Sequence, residues 1–498
     1  MRVALIGGRI TTLVVIATSF VLSSCARPVP SPSPQPEKLN VLFILVDDLN
    51  TRLGTYGDPV VQTPNIDRLA SMGVQFNRAF NQYPMCNASR TSLLSGLYPE
   101  TTGVFSNADR LPPELGEMAL LPEYFRYNGY DAEGFGKIAH RSGTVSWGQP
   151  IEGDPVPPKE VIRQLSRATS EGMISLDEDE ELEPSIASYQ ALYPSGSPIR
   201  GSGAKDGAVL RDEKTATNAI RWLEENQDKP FFLAVGFNST HLPFHAPQSY
   251  LRRYPPYTIQ LRREPPGHLA AVPSIALTRH STDAMNDREH RVAIARYFSC
   301  VSYVDDQVGR LLEALERLDL QQRTVVVLTS DHGFLLGEHE NHWRKGTLFL
   351  ESSRVPLIIA GPQISAGKPT GQPVELVDLY PTLVELSGLS QPQGLQGSSL
   401  VDLLRDPMTS RKRPAYTIVA RSRDRRLMGR SIHTSRYRYT EWGGKNRAEL
   451  YDLWVDPFEY RNLVAQRGRH RKQLKSLRKQ LRKSINRATA SRSPRKRS

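Results

Sequence analysis

The sequence predicts an α/β fold: a large domain with a mostly parallel central sheet flanked by helices, followed by a small C-terminal domain with an antiparallel sheet and a helix. Two observations support this prediction. Short apolar runs that end in polar residues are typical of buried parallel strands, and helical patterns separate them. After about residue 411 the pattern changes to short strands joined by turns. The runs that predict parallel strands are Val41–Val46, Tyr130–Phe135, Phe231–Phe237, Val325–Leu328 and Pro356–Ile359, of which Tyr130–Phe135 is interrupted by two acidic residues.

Two stretches carry apolar residues at helical spacing. Thr63–Met72 begins with Thr-Pro, which places a proline at an early helical position. Arg291–Leu318 carries apolar residues at helical spacing, namely Val301, Val304, Val308, Leu311, Leu312 and Leu315. Because helices alternate with buried strands in this part of the chain, the pattern favours an α/β domain with a largely parallel sheet.

The C-terminal part has a different organisation. The short strands predicted there are Tyr416–Ala420, Ser431–Thr434, Tyr437–Trp442 and Glu449–Trp454. A basic helix follows, with an apolar stripe formed by Leu474, Leu477, Leu481 and Ile485. We therefore place a catalytic domain at 39–410, a small subdomain at 411–487 and a disordered basic tail at 488–498. Two irregular segments, Pro150–Gly207 and Gln248–Asp287, are predicted to be long surface loops that shape a pocket.

Composition narrows the class of protein. The 498-residue chain is 39% hydrophobic with a mean hydropathy of −0.44, so it can form a sizeable core and is not a polytopic membrane protein. The net charge is +12, but residues 467–498 hold 14 Lys/Arg and no Asp/Glu, which leaves −2 for the rest. The tail lacks interleaved aromatic residues, so no nucleic acid is expected as a partner. Its basic helix is predicted to pack on one face, with contact to an anionic surface as the alternative.

The N-terminus predicts export. Residues 1–24 combine two arginines with a short apolar run, as a lipoprotein signal peptide does. Leu22-Ser23-Ser24-Cys25 resembles a bacterial lipobox, which implies cleavage before Cys25 and lipid on that cysteine. Residues 25–38 are rich in proline and serine and suit an extended tether. The expected location is the periplasm or cell surface, anchored to a bacterial membrane; an ordinary cleaved signal peptide is the alternative.

The remaining cysteines, Cys86 and Cys300, do not form a disulfide framework. Cys300 lies in an apolar helical pattern and is predicted to be a buried small hydrophobe. A Cys86–Cys300 disulfide is the alternative.

Polar side chains follow four of the predicted strands. In an open α/β sheet, ligands bind outside the carboxyl ends of the strands, so these side chains can converge there. Aspartates among them are hard oxygen ligands for calcium or magnesium, and the histidine beside the third aspartate could add a nitrogen ligand or face an anion. The cationic members would make the site suitable for a tetrahedral anion. The set comprises Asp47, Asp48, Lys137, His140, His241, Asp331 and His332, with Lys345 further along the chain.

One more segment adds a candidate nucleophile. A helix predicted to start at Ser89 places Cys86 near a helix N-terminus, which stabilises negative charge. As a plain thiol, Cys86 is then expected to have a low pKa.

The segment Cys86-Asn87-Ala88-Ser89-Arg90 resembles the signature of the sulfatase family, cysteine–any–proline or alanine–any–arginine, with alanine at the position where proline is more frequent. The resemblance extends from about Asn40 to Leu463, and within the family the chain is most similar in appearance to the iduronate-2-sulfatase group. A lysine and a proline often precede the histidine that matches His241 in that group, whereas this chain has Ser239 and Thr240. Further matching segments are Thr63–Leu69, Gly136–His140, Ser330–Gly333, Gly337–His339, Arg436–Trp442 and Glu449–Leu453.

The resemblance implies a mechanism and partners. A formylglycine-generating enzyme would oxidise Cys86 to formylglycine. The hydrate of this aldehyde would attack the sulfur of a sulfate ester, next to one divalent metal ion. We expect that ion to be calcium. The implied metal ligands are Asp47, Asp48, Cys86, Asp331 and His332. The implied catalytic residues are Cys86 itself, Arg90 and Lys137, which hold negative charge, His241 and Lys345, which protonate the leaving oxygen or hold the sulfate, and His140, which removes a proton.

We therefore expect a sulfuric ester hydrolase whose substrate is a sulfated small molecule or glycan, more specifically a sulfated sugar or polysaccharide. Two alternatives remain open at this stage. One is a phosphate- or phosphonate-ester hydrolase of the same alkaline phosphatase superfamily. The other is a catalytically inactive surface lipoprotein that binds sulfated glycans.

Overall fold

A computed structural model describes residues 38–116, 118–152, 160, 203–277, 285–421, 427–443, 447–466 and 468–489. The predicted signal peptide, Cys25, the tether up to residue 37, most of Pro150–Gly207 and residues 490–498 lie outside the described residues. The domain boundaries and the membrane anchor therefore stay predictions. Within the described ranges, no helix is both long enough and apolar enough to cross a membrane.

The strands are β1 (Asn40–Val46), β2 (Gly73–Phe76), β3 (Ala79–Phe80), β4 (Asp131–Gly136), β5 (Gly203–Ala204), β6 (Phe231–Phe237), β7 (Ala246–Pro247), β8 (Thr324–Ser330), β9 (Leu335–Leu336), β10 (Trp343–Arg344), β11 (Arg354–Val355), β12 (Leu357–Ala360), β13 (Lys368–Thr370), β14 (Val374–Glu375), β15 (Ala415–Ala420), β16 (Met428–His433), β17 (Tyr437–Trp442) and β18 (Ala448–Asp452).

The α-helices are α1 (Pro64–Met72), α2 (Cys86–Ser95), α3 (Pro99–Thr102), α4 (Pro113–Gly116), α5 (Leu121–Tyr127), α6 (Arg211–Asn226), α7 (Gln248–Leu251), α8 (Asp287–Arg317), α9 (Glu338–Asn341), α10 (Leu350–Ser353), α11 (Leu379–Leu386), α12 (Val401–Arg405) and α13 (Arg471–Ala488). The helices predicted at Thr63–Met72 and Arg291–Leu318 correspond to α1 and α8. The helix predicted to begin at Ser89 begins three residues earlier, at Cys86.

A seven-stranded sheet in the order β13-β2-β12-β8-β1-β6-β4 forms the centre of the fold. Its strands β8, β1, β6 and β4 are mutually parallel neighbours, and β13 is parallel to β2. The predicted fold class is confirmed. One detail is wrong: Pro356–Ile359 was expected to be parallel, but β12 is antiparallel to both β8 and β2. An apolar run indicates burial on both faces of a sheet and contains no information about strand direction.

Alternate residues of the central strands pack on opposite faces of this sheet. On β1, Leu42, Ile44 and Val46 face a core shared with α1, α6 and α8. Val41, Phe43 and Leu45 face a second core, which includes residues of α2, α5 and α11. Because helices cover both faces, β1 is apolar at every position from Val41 to Val46, as is typical of a buried parallel strand.

The C-terminal part forms a four-stranded antiparallel sheet in the order β15-β16-β17-β18. A third hydrophobic core of the molecule joins this sheet and α13 to residues of the N-terminal half, including Tyr83, Ala88 and Tyr98. The apolar stripe of α13 packs inward as expected, with Leu474, Leu477 and Leu481 buried. This sheet therefore supports the segment that contains the start of α2.

The contact between β2 and β12 gives a test of the sheet. A Cβ at Gly73 would lie 2.2 Å from the backbone carbonyl oxygen of Ile359, an atom that cannot move without disturbing the β2–β12 pairing. We expect Gly73→Ala to lower the free energy of unfolding by about 1–3 kcal/mol, the usual cost of overpacking. Gly371→Ala is the matched control, because a Cβ there meets no heavy atom within 4 Å. Equal urea midpoints for the two variants would contradict the described pairing.

Candidate active site

The carboxyl ends of four adjacent parallel strands bring the predicted polar residues to one edge of the sheet. Asp47 and Asp48 follow β1, and Asp331 follows β8, its neighbour. Lys137 follows β4, and His241 lies four residues beyond β6. The convergence predicted from the sequence is thus observed for the residues at this edge.

Helix α2 places Cys86 at the same edge, because the helix begins at that residue. The helix ends at Ser95, and the next residue, Gly96, has a φ of 67°, the left-handed conformation that glycine adopts most easily. The Cys86 Sγ atom lies 3.3 Å from His332 Nε2 and accepts a hydrogen bond from Lys345 Nζ at 3.0 Å. Cys86 and Cys300 are both free and buried, so the alternative of a disulfide between them is wrong.

Arg90, one turn further along α2, connects two of the aspartates. Its Nε donates to Asp331 Oδ2 and its Nη2 to Asp47 Oδ1, both at 2.8 Å. Its Nη1 donates to the backbone carbonyls of Lys137 and Ile138. The Arg90 side chain is 1% exposed and both carboxylates are fully buried. A planar guanidinium suits such a position, because each of its three nitrogens donates to an oxygen.

Two lysines complete the charge balance of the three buried carboxylates. Lys137 Nζ donates to Asp47 Oδ2 at 2.6 Å, and Lys345 Nζ donates to Asp48 Oδ1 at 2.8 Å. With Arg90, three cations face three carboxylates. A divalent cation added to this cluster would give it a net positive charge, which would attract an anionic substrate.

The pKa values of the aspartates follow from this arrangement. Burial alone would raise the pKa of Asp47, but the charges of Arg90 and Lys137 outweigh it and hold that pKa well below its usual value. Burial likewise opposes ionisation of Asp48, and Lys345 is the main cause of its lowered pKa. Burial alone would lower the pKa of Lys345, but Asp48 and the other anionic groups around it together outweigh that effect and raise the pKa. These carboxylates are therefore ionised at neutral pH and available to a metal.

The expectation of a low thiol pKa for Cys86 is wrong. Burial raises the pKa of the Cys86 thiol above its ordinary value, and the positive charge of Lys345 offsets this only in part because Asp47 and Asp331 act in the opposite direction. A position at a helix N-terminus is too weak to overcome desolvation and two nearby carboxylates. An unmodified thiol here would be a poor nucleophile.

His332 and His140 both have a lowered pKa, which favours the neutral ring. His332 Nδ1 donates to the Gly333 carbonyl at 3.0 Å, so Nε2 carries the lone pair that faces Cys86 and Asp48. Burial lowers the pKa of His332. Burial and the charge of Lys137 lower the pKa of His140 to about 4, so its ring can accept a proton at neutral pH.

The chemistry of this donor set fits a divalent metal. One carboxylate oxygen from each of Asp47, Asp48 and Asp331 can be chosen so that all three lie within 4.8 Å of one another. A second such group consists of Asp48, Cys86 and His332. The carboxylates are hard oxygen ligands, and the lone pair of His332 Nε2 points to the same place. The predicted ligands are thus brought together, although which of them bind a metal stays a prediction.

Several supporting residues were missed from the sequence. Tyr297 on α8 donates its hydroxyl to the Asp48 carbonyl and accepts from Asn50 N, each at 2.9 Å. This fixes Asp48, whose φ of 57° is left-handed. Ser89 Oγ donates to the Asp331 carbonyl at 2.5 Å. In the sequence, Tyr297 was indistinguishable from a core aromatic residue of an amphipathic helix.

Ser239 and Thr240 occupy the two positions before His241 where the iduronate-2-sulfatase group often has a lysine and a proline. Thr240 is fully buried, and its hydroxyl donates to the Asp47 carbonyl at 2.5 Å. Ser239 N donates to Asp212, a buried carboxylate. His241, 24% exposed, lies with its Nε2 3.9 Å from Asp48 Oδ2. Residues 239 and 240 therefore position the loop and bring no cation to the site.

Comparison with known families agrees with this geometry. A family model described as Sulfatase matches residues 39–389, and one described as N-sulphoglucosamine sulphohydrolase, C-terminal, matches residues 337–489. A sulfatase of Formosa agariphila is 32% identical over 445 aligned residues, covering 86% of this chain and 83% of that protein. The iduronate 2-sulfatase of Homo sapiens is 32% identical over 523 aligned residues, covering 86% of this chain and 91% of that protein.

Solved structures are also similar. That of a 2-O GAG sulfatase, BT1596, has 26% identity and a TM-score of 0.66, covering 91% of this chain and 93% of that chain. That of the phosphonate monoester hydrolase of Agrobacterium radiobacter has 24% identity and a TM-score of 0.66, covering 89% and 96%, and this likeness shows the fold alone. The family resemblance predicted from Cys86–Arg90 is confirmed. The chain belongs to the sulfatase family and is a sulfuric ester hydrolase.

Proposed function

We propose that this sulfatase hydrolyses sulfate esters of a sulfated sugar or polysaccharide, using a formylglycine made from Cys86 and one bound calcium ion. The observation that carries the proposal is the position of Cys86. Its Sγ atom lies within 3.3 Å of both Lys345 and His332, beside three buried carboxylates. A buried thiol with a raised pKa has little use as a nucleophile there, whereas an oxygen at the same position would have both a cation and a metal site next to it.

Two groups supplied after synthesis would add the chemistry that the twenty amino acids lack. The hydrated aldehyde at position 86 would supply the attacking oxygen, and the divalent ion would supply a Lewis acid. Asp47, Asp48, Asp331 and His332 would hold the ion, together with residue 86. Calcium is favoured because carboxylate oxygens predominate among these ligands.

The side chains around position 86 suit sulfate transfer. Arg90 fixes Asp47 and Asp331 relative to each other, so the metal ligands are held in place before substrate binds. Lys137 and Lys345 are each 17% exposed, so their ammonium groups can reach sulfate oxygens from the open side. His241, at 24% exposure, is open enough to donate a proton to the leaving alcohol oxygen.

His140 is the proposed base. Its Nδ1 is buried and has no hydrogen-bond partner among the described residues. Because its pKa is lowered to about 4, this ring is neutral at neutral pH and can take a proton from the residue-86 hydroxyl group. That step would regenerate the aldehyde and release sulfate.

The sugar substrate is supported by the relatives. One is an iduronate 2-sulfatase, another an ulvan-active sulfatase, 29% identical over 467 aligned residues, and a similar structure is that of a 2-O GAG sulfatase. Ser239 and Thr240 replace a lysine and a proline frequent in the iduronate-2-sulfatase group, so the proposal stops at a sulfated sugar and does not extend to iduronate. The Cys86–Arg90 segment favours sulfate over phosphate or phosphonate, and the complete set of catalytic side chains disfavours an inactive glycan-binding lipoprotein.

We further propose that a formylglycine-generating enzyme modifies Cys86 and that a lipid on Cys25 anchors the exported protein to a bacterial membrane. The Cys86–Arg90 motif supports the first proposal. The lipobox-like Leu22–Cys25 segment and the tether that follows support the second.

The modification leads to a direct prediction. In protein expressed with a formylglycine-generating enzyme, the peptide containing residue 86 should have the mass of the aldehyde instead of the thiol. Such protein should hydrolyse an aryl sulfate faster than the matching aryl phosphate. Cys86→Ala should lower sulfate turnover to background while leaving the melting temperature within a few degrees of the parent.

Cys300→Ala is the matched control, since Cys300 is also free and fully buried but lies in the α8 core away from the aspartates. It should keep both the aldehyde mass and the turnover. Normal turnover by Cys86→Ala, or faster cleavage of the phosphate, would overturn the proposed function.

The base predicts a pH dependence. His140 accepts a proton only in its neutral form, which is lost as the pH falls through about 4. Because this proton transfer belongs to the step that releases sulfate, it affects kcat, whose acidic limb should lie near pH 4 and not near 6.5, the value of an unperturbed histidine. His140→Asn should lower kcat by about 10²–10⁴-fold and remove that limb. His470→Gln, outside the site, is the control; an unchanged profile in His140→Asn would refute this assignment.

A further inference from the structure

A second group of potential ligand atoms, from two buried histidines and one partly buried carboxylate, shares no residue with the candidate active site. It consists of Glu264, His268 and His339, from two segments about 70 residues apart. The side chains of both histidines are nearly inaccessible, with 1% exposure for His268 and 0% for His339. One potential ligand atom from each of the three residues can be chosen so that all lie within 4.8 Å of one another.

The tautomer of His268 is set by its surroundings. Its Nδ1 lies 3.1 Å from the Pro265 carbonyl oxygen, which can only accept a hydrogen bond, so Nδ1 carries the proton. In the neutral ring, Nε2 then carries the lone pair. This Nε2 atom is buried, has no hydrogen-bond partner in the described part of the chain, and lies 3.8 Å from Glu264 Oε2.

A hydrogen bond also sets the tautomer of His339. Its Nε2 lies 3.3 Å from Glu351 Oε2, a carboxylate oxygen that can only accept a hydrogen bond, so Nε2 carries the proton. In the neutral ring, Nδ1 is left with the lone pair, and this buried atom also has no partner among the described residues. A backbone carbonyl orients one ring and a carboxylate orients the other, which are the two usual partners of metal-binding histidines.

Glu264 supplies the anionic ligand. Its two oxygens accept the backbone N–H groups of His339 and Glu340 at 2.6 and 2.7 Å. Both residues have left-handed backbones, with φ of 57° and 59°, and this turn directs their N–H groups at the carboxylate. Each carboxylate oxygen has a second lone pair, so Glu264 remains able to bind a cation.

We propose that Glu264, His268 and His339 form a second metal site, which binds a zinc-class transition-metal ion. Two imidazole nitrogens and one carboxylate are a donor set suited to zinc and unsuited to calcium, which prefers oxygen ligands throughout. Occupation would satisfy both orphaned nitrogens at once.

The site would have a structural consequence. It would tie the loop around His268 to the turn at α9, and α9 precedes Lys345 by only a few residues. The ion would thereby hold in place the segment that brings Lys345 to Cys86. The proposal itself rests on the geometry of the three ligands and is independent of the sulfatase assignment.

Metal content tests the proposal. The full chain is stripped with a chelator, dialysed against excess calcium with a small amount of zinc, and analysed for bound metals by mass spectrometry. The parent should retain about one zinc per chain. His268→Gln and Glu264→Gln should each weaken zinc binding by more than about 100-fold, beyond the 10–100-fold typical for the loss of an outer partner. Asp48→Asn, which alters the candidate active site, should keep the zinc.

A second measurement needs no variant. Zinc-edge X-ray absorption of the loaded parent should show nitrogen scatterers from two imidazoles at about 2.0–2.1 Å. Failure of the parent to retain zinc would overturn the proposal. So would an all-oxygen signal, zinc retained equally by both ligand variants, or zinc lost in Asp48→Asn and retained in His268→Gln.

Discussion

Three carboxylates buried at the carboxyl edge of a parallel sheet constrain the rest of this structure. Removing Asp47, Asp48 and Asp331 from water is costly unless each is paired and hydrogen-bonded. Arg90 and two lysines meet that requirement with bonds of 2.6–2.8 Å. The cluster is therefore balanced without a metal and becomes positive when a divalent cation is added, which is the state that an anionic ester would bind.

This constraint explains why segments that are distant in the sequence must be positioned within hydrogen-bond distance of one another. The aspartates come from adjacent strands, but Arg90 comes from α2 and Lys345 from the segment after α9. The C-terminal sheet packs against residues on both sides of Cys86, among them Tyr83 and Ala88, and so supports the candidate nucleophile from a separate part of the chain. A metal ion bound by Glu264, His268 and His339 would likewise hold in place the segment that leads to Lys345.

Strands and helices with long apolar patterns could be predicted from the sequence, because burial on both faces leaves a continuous apolar run in β1, β6 and β8. The convergence of Asp47, Asp331, Lys137 and His241 followed from the rule that ligands bind at the carboxyl ends of parallel strands. The direction of β12 could not be predicted, since it depends on pairing between distant segments. The prediction of a low thiol pKa for Cys86 was wrong for a related reason. The position of Cys86 near a helix N-terminus could be inferred from the sequence, whereas its desolvation and the nearby carboxylates could not. Glu264 and His339 likewise become neighbours only through tertiary folding.

The most direct test of the account is a crystal structure of the modified enzyme grown with excess calcium. We expect one ion within about 2.3–2.6 Å of carboxylate oxygens from Asp47, Asp48 and Asp331, next to the oxidised side chain at position 86. Calcium-saturated crystals that contain no ion there, with the three acids still paired only to Arg90, Lys137 and Lys345, would contradict the account.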